Sequence, residues 1–581
     1  MMKQALNQWK LITITTVLVW FAVVMSVNAI PPHPQLRNEI YNGKISVPYF
    51  LSHSDELREQ KINVSERQKY NQNLILKTNP DRTPVVKTKL RALCLLVKFS
   101  DQDDSVPADY FDSLLFDSIG NSIRTYYGEV SYNQLDIVTV NMPSSVGWIE
   151  APQTYDYYVN NQNGTGAYPN NTQKLCEDLV DAADGQVDFS NYDNDDNGTV
   201  DLLIIVHTGP GAEYTGQNSD IWSHKWGISP RLKDGVYISD FTVQPEYWVN
   251  PGDMTVGVYA HELGHGFFGL PDLYDIDGSG SHGIGKWGLM SYGCWLGPSS
   301  MGSSPAHPCA WSKIQMGFTA ATIISDNSNS HPIGAVETSD EIYRLWNGGS
   351  TGNEYFLIEN RQKTGFDSYI PGSGLLIWHI DDTKTNNTQE WWLGEDSSNH
   401  YMVALEQSDG LWELEHGLDY GDDRDPFPGN LNNLTFDALS TPNSNSYQNG
   451  ISYAKVDNIS PSANTMYADF TVGFIADNGD SNDDPNQLPT TPVLSQNYPN
   501  PFNPSTTIEF TVSTSDRVTL EIFNLLGRKV KTLLDEIIEE GTHTIAWNGT
   551  NKHGQEVASG VYLYRIVSGG YSQVRKMTLL R

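Results

Sequence analysis

At 581 residues, with 36 Lys+Arg against 70 Asp+Glu and a formal net charge of −34, the chain is too long for one hydrophobic core. It is also too acidic to offer the basic patches that phosphate backbones need, which argues against nucleic acid as a partner. Four cysteines in this length do not make a disulfide-rich scaffold.

Residues 1–29 read as a secretory signal peptide. Lys3 and Lys10 form a positive head, Leu11 to Val27 an apolar stretch, and Val27-Asn28-Ala29 a small-residue cleavage site. A membrane anchor is the alternative. No later stretch is apolar enough to span a bilayer, so no transmembrane segment is expected in the mature chain. Residues 30–87 depart from the overall charge balance, with nine Lys/Arg against six Asp/Glu. They read as a removable propeptide lying on an acidic catalytic domain, and a mobile arm is the bland alternative.

Residues 88–320 have the pattern of a folded α/β domain. Leu93 to Phe99 is a nearly continuous apolar run, as in a buried strand. Tyr110 to Tyr127 and Thr172 to Ala183 have helical apolar spacing, and Leu202 to Val206 is a second buried strand, followed by a Gly209-Pro-Gly211 turn. Before that strand, Asp193, Asp195, Asn197, the Thr199 carbonyl and Asp201 reproduce the first part of an EF-hand loop. Its closing glutamate is missing, and the loop is read as a structural calcium site or an acidic turn without an ion. Glu213, Asp220 and His224 are polar candidates for substrate or ion contact.

The chemistry is concentrated in His261-Glu-Leu-Gly-His-Gly-Phe-Phe-Gly-Leu-Pro-Asp-Leu-Tyr-Asp275. Two histidines four apart on a helix lie about 40° apart around its axis, so His261 and His265 can share one zinc ion. Glu262, about 100° further round, sits where a general base takes the proton of a water polarised by that ion. The helix is expected to begin near Asp253 as N-cap and to stop at Gly269, with Pro271 barring continuation. Asp272, three residues past that glycine, is the expected third ligand, with Asp275 the alternative. In metzincins the pattern is H-E-x-x-H-x-x-G-x-x-H; here Phe268 takes the usual glycine position and the helix is one residue longer. In metzincins a methionine forms a floor turn beneath the metal and a tyrosine two residues on can approach the substrate oxyanion, and Met290 and Tyr292 resemble that pair.

His261 to Asp275, Trp287 to Trp295 and Ala310-Trp-Ser-Lys-Ile-Gln-Met-Gly317 resemble the immune inhibitor A family of secreted bacterial zinc metallopeptidases. So do Ser122 to Tyr132 and Tyr355-Phe-Leu-Ile-Glu-Asn-Arg361, and the likeness extends roughly over residues 88–475. It implies a metzincin-like α/β (α+β) catalytic domain, followed by antiparallel β-sandwich domains, and endopeptidase activity on extracellular proteins or peptides. A non-catalytic surface adhesion or binding protein retaining a peptidase fold is the alternative. A gluzincin, with a distant glutamate as third ligand, is a further one.

Export permits disulfides, and Cys294 with Cys309 and Cys94 with Cys176 is one of three connectivities, against four buried free thiols. Residues 321–475 carry short alternating segments between Gly, Asn and Pro, read as a β-rich accessory domain. Gly374 to Asp381 is its clearest strand, with His379 read as a strand histidine. Asp419 to Asp425 is either a second calcium site or a solvated loop. Residues 476–492 read as a linker. In residues 493–581, Gln496 to Ser505, Gly527-Arg528, Trp547-Asn-Gly549 and Ala558 to Tyr562 resemble the immunoglobulin-like C-terminal sorting domain of type IX secretion substrates. This implies handling by an outer-membrane secretion machinery and a secreted or cell-surface location.

Overall fold

A computed structural model describes residues 27–54, 57, 88–278, 280–392, 398–447, 450–473, 493–494, 497, 499–500, 502–512, 514–524, 528–568 and 571–580. The first 26 residues of the expected signal peptide, most of residues 55–87 and the expected linker lie outside them.

The catalytic region is built on a mixed six-stranded sheet. Its strands are β1 (Asn28–Ala29), β2 (Leu93–Lys98), β3 (Trp148–Glu150), β4 (Leu203–Pro210), β5 (His224–Lys233) and β6 (Val236–Tyr247), in the order β1-β5-β6-β4-β2-β3. Strands β6, β4, β2 and the edge strand β3 are parallel, and β5 runs against them. Parallel strands covered on both faces need apolar side chains on both, which explains the unbroken apolar runs at 93–97 and 202–206. The expected Tyr110 to Tyr127 helix is two helices, Ala108–Phe116 and Ile123–Val130, because Gly120 at φ 73° turns the chain between them. α1 (Pro34–Tyr41) follows β1, and α2 is Thr172–Ala183, capped by the Asn171 side chain accepting from the Lys174 N–H.

α3 (Val256–Phe268) carries the two histidines and is buried along its whole length. Its N-cap is Thr255 rather than Asp253. The Asp253 carboxylate instead accepts the backbone N–H groups of Trp248, Val249 and Asn250, so it holds the preceding turn and cannot cap the helix.

The β-rich region was expected to be a separate domain, but residues up to Gly473 form one compact unit. Strands Glu354–Arg361 and Gly374–Asp381 pair antiparallel, and Leu357, Leu376, Trp378 and Ile380 belong to the same hydrophobic cluster as α3. Arg361 ties the two regions together by polar contacts. Its guanidinium donates to Asp367 at 2.8 and 2.7 Å, to Glu359 at 3.2 Å and to the Trp287 carbonyl at 3.1 Å, all buried. Burial alone would raise the Asp367 carboxyl, but Arg361 outweighs it and holds the group well below the usual carboxylate range. A depressed folded-state value means the stabilisation is complete above the ordinary carboxylate value of about 4 and fades as the pH falls toward the folded one. Asp367→Asn is therefore expected to lower stability by about 3–5 kcal/mol at pH 7, because Arg361 is left buried without its counter-charge. The gap to wild type should narrow below about pH 4, which thermal melts at pH 7 and pH 3 would check.

All four cysteines are buried free thiols, so neither expected disulfide forms in this structure. They serve as small core side chains, and the Cys309 Sγ lies 3.4 Å from the Ser312 Oγ.

Residues from 493 on belong to a second unit. It holds a three-stranded antiparallel sheet (Val493–Leu494, Thr506–Val512, Gly541–Trp547) and a four-stranded one (Asp516–Asn524, Lys529–Ile538, Gly560–Ser568, Tyr571–Leu579). Alternate residues Ile508, Phe510 and Val512 join Leu520, Ile522, Tyr564 and Ile566 in one core, the period-2 pattern of half-buried strands. Among the described residues, no helix is long and apolar enough to cross a membrane.

Candidate functional site

The site forms where α3 ends. Gly269 takes the left-handed conformation (φ 64°, ψ 25°), its N–H bonds to the His265 carbonyl, and the Leu270 N–H bonds to that of Gly264. This closure returns the chain over the histidines. The Leu270 carbonyl then lies 2.6 Å from His265 Nδ1, and the Leu289 carbonyl 3.0 Å from His261 Nδ1. A carbonyl at Nδ1 fixes the tautomer with its proton there, which leaves each Nε2 lone pair pointing into the site.

His261 Nε2 and His265 Nε2 are 3.1 Å apart, and each is 3.2 Å from Asp272 Oδ1. All three residues are buried. Tetrahedral coordination at bond lengths of about 2.0–2.1 Å puts ligand atoms about 3.3 Å apart, so this triangle has the size and donor set that a zinc ion takes, with a fourth position left for water. Burial lowers the His265 imidazole below its ordinary value, which keeps it neutral and able to donate a lone pair. Asp275 does not join the triangle. Its carboxylate accepts the Asp277 and Gly280 N–H groups, and burial pushes it up to about 7.

Met290 lies under the helix between the two histidines. A Cβ on Gly264 would come within 2.6 Å of its sulfur, so only glycine lets the helix settle on this turn. The Met290 carbonyl also accepts the Leu273 N–H, pinning the segment that carries Asp272. Tyr292 sits one ring further back, against Tyr420 (4.6 Å between centroids) and under the Arg37 guanidinium (5.6 Å).

The N-terminal segment runs through the site. β1 pairs antiparallel with β5, Asn28 opposite Lys225 and Ala29 opposite His224. The Ile30 N–H donates to Glu262 Oε1 at 2.8 Å. The indoles of Trp222 and Trp295 donate to the Ile30 and Pro31 carbonyls, and the His33 N–H to the Glu213 carbonyl. Arg37 donates to the Ser281 carbonyl, and Phe50 stacks on Trp222. Backbone bonds and apolar contacts dominate this footprint, not the basic charge on which the sequence reading rested.

Several candidate residues have other duties. Glu213, raised to about 7 by burial, holds the Ser223 N–H and hydroxyl. His224 is buried between Thr172 and the Trp222 carbonyl, and Asp220 accepts from Thr215. In the acidic loop, Asp193 and Asp195 accept the N–H of Asn197, Asn197 accepts that of Thr199, and Asp201 accepts from Asn194. In the second acidic stretch, Asp409, Glu413 and Asp422 surround the Arg424 guanidinium, while Asp425 is buried on the Trp287 indole and raised to about 8. His379 lies between Glu354 and Glu406 within its strand.

Sequence reasoning did not foresee the residues that brace the loop after α3. The Asn387 side chain donates to the Leu273 carbonyl, Tyr401 to Ser281, the His282 N–H to the Leu414 carbonyl and the Lys286 N–H to that of Tyr420. These come from the β-rich region, far away in the chain, and carry no local motif.

Residues 108–319 match the family model described as immune inhibitor A peptidase M6, catalytic domain. Residues 496–579 match that of the secretion system C-terminal sorting domain. The chain is similar to immune inhibitor A of Bacillus thuringiensis subsp. alesti, 34% identical over 178 residues, covering 26% of each chain. It is 28% identical over 251 residues to the pre-pro-metalloprotease PrtV of Vibrio cholerae, covering 36% of this chain and 26% of that one. The chain thus spans about a quarter of the length of these curated relatives. Latent PorU from Porphyromonas gingivalis overlaps 22% of this chain and 12% of its own at 23% identity, with a TM-score of 0.15 that adds nothing to the assignment. The triangle at the end of α3 thus lies within the stretch that matches the immune inhibitor A peptidase M6 catalytic-domain model, and the same chain ends in a stretch that matches the secretion-system C-terminal sorting domain, which marks an extracellular or cell-surface protein.

Proposed function

We propose that the protein is a zinc-dependent endopeptidase acting on extracellular proteins or peptides, with a metzincin-like active site and a sorting domain handled by an outer-membrane secretion machinery. The observation that carries this reading is the buried triangle of His261, His265 and Asp272 with Glu262 beside it. His261, His265 and Asp272 would hold the ion. A bound zinc supplies the Lewis acidity that polarises a peptide carbonyl and lowers the pKa of an attacking water. Glu262 takes the proton of that water and returns it to the leaving amide nitrogen. Its contact with the Ile30 N–H places the carboxylate within reach of such a nitrogen.

We further propose that residues 30–87 form an inhibitory propeptide, because the part that is described lies across Glu262 through the Ile30 N–H and is held there by the Trp222 and Trp295 indoles. A leader cut after Ala29 would turn the Ile30 nitrogen into an ammonium facing the Glu262 carboxylate, a charge-assisted pair stronger than the amide contact. Purified protein, cut within residues 58–87 and separated from its N-terminal piece, is expected to contain one zinc per chain and to hydrolyse casein. Dialysis against a chelator should remove metal and activity together, and zinc should restore both. Casein hydrolysis that survives complete loss of metal would refute the reading.

A further inference from the structure

The path of the N-terminal segment points to one more catalytic group. β1 adds to the free edge of β5 in an extended conformation, the way a peptide docks on a sheet edge. At the next peptide bond, Ala29–Ile30, the two ends of the amide are held by different side chains. The Ile30 N–H donates to Glu262 at 2.8 Å, and the Ala29 carbonyl oxygen accepts from the Tyr274 hydroxyl at 2.7 Å. These are the two atoms whose charge changes when an amide is hydrolysed. Water oxygen bonds to the carbonyl carbon, the C–N bond breaks, a proton from the water passes through Glu262 to the nitrogen, and the carbonyl oxygen carries negative charge in between.

We infer that Tyr274, rather than Tyr292, is the hydroxyl that stabilises the oxyanion, and that Ala29–Ile30 is seated in the register of a scissile bond. This rests on the peptidase reading above. The backbone explains why Tyr274 is fixed. The preceding Leu273 is held through its N–H by the Met290 carbonyl at 2.8 Å and through its carbonyl by the Ile284 N–H at 3.0 Å. Tyr274 itself is buried and meets the Tyr292 ring edge-on at 6.0 Å. A Cβ on Gly283 would come within 2.5 Å of the Tyr274 Cα, so the neighbouring loop presses directly on this backbone. Asp272 and Tyr274 are two residues apart on one pinned segment, so the same turn delivers a metal ligand and an oxyanion donor.

The test uses the zinc-loaded chain cut within residues 58–87 and separated from its N-terminal piece, with a quenched peptide substrate and a phosphinic peptide carrying Ala and Ile flanking the phosphinate. Tyr274→Phe is expected to lower kcat by roughly 10²-fold with KM and zinc content near wild type. The inhibition constant of the phosphinic peptide should rise by a similar factor, a change that a purely structural role would not produce at constant metal content and melting temperature. Wild-type kcat in Tyr274→Phe, or a loss confined to Tyr292→Phe, would overturn this assignment and leave the peptidase reading standing. A zinc-loaded wild type that hydrolyses neither casein nor peptide would overturn both.

Discussion

Glu262→Gln is expected to lower peptide hydrolysis by roughly 10²–10⁴-fold while the zinc content stays at the wild-type level. The two effects separate because of where the side chain stands. The triangle that would take the metal consists of His261, His265 and Asp272, and Glu262 is outside it. Glutamine has nearly the same shape and can still hydrogen-bond an incoming peptide, so neither the fold of α3 nor the metal site should change. What it lacks is the ability to accept a proton and return it. Metal analysis and a quenched peptide assay on one preparation give both readings. Proteolysis at the wild-type rate would remove Glu262 from the mechanism, and lost zinc would make it a structural residue.

The second large effect is latency. The chain with its N-terminal segment attached is expected to hydrolyse peptides on the order of 10³-fold more slowly than the cut and separated chain. The figure follows from a tethered segment at millimolar effective concentration competing for a cleft that it binds with micromolar affinity. The indole bonds from Trp222 and Trp295, the His33 to Glu213 bond and the Phe50 to Trp222 stack all contribute to that affinity. A synthetic peptide of residues 30–54 added to the cut chain should inhibit it competitively. Equal kcat/KM before and after the cut would show that the segment does not govern access.

The helix that carries the two histidines and its stop were legible in the sequence because both are local. Histidines four apart and a glycine that ends the helix fix directions within a few residues, whatever the rest of the chain does. Local spacing failed where a side chain had a choice of partners. Asp253 has the composition of an N-cap, but three N–H groups of the preceding turn lie nearer, so Thr255 begins the helix. Tyr292 follows Met290 at the spacing of an oxyanion tyrosine, while the hydroxyl at the Ala29 carbonyl belongs to Tyr274.

By itself the sequence determined the helical register of His261, Glu262 and His265, the turn at Gly269, the apolar strands beneath them and the alternating strands of the sorting domain. These follow from periodicity and backbone preference over short stretches. Only the tertiary structure decided that Asp272 and not Asp275 closes the triangle, that the β-rich region braces the loop after α3, and that the N-terminal segment lies across Glu262. Each of those contacts joins residues brought together by burial of a shared core, and long-range packing leaves no periodic trace in the chain.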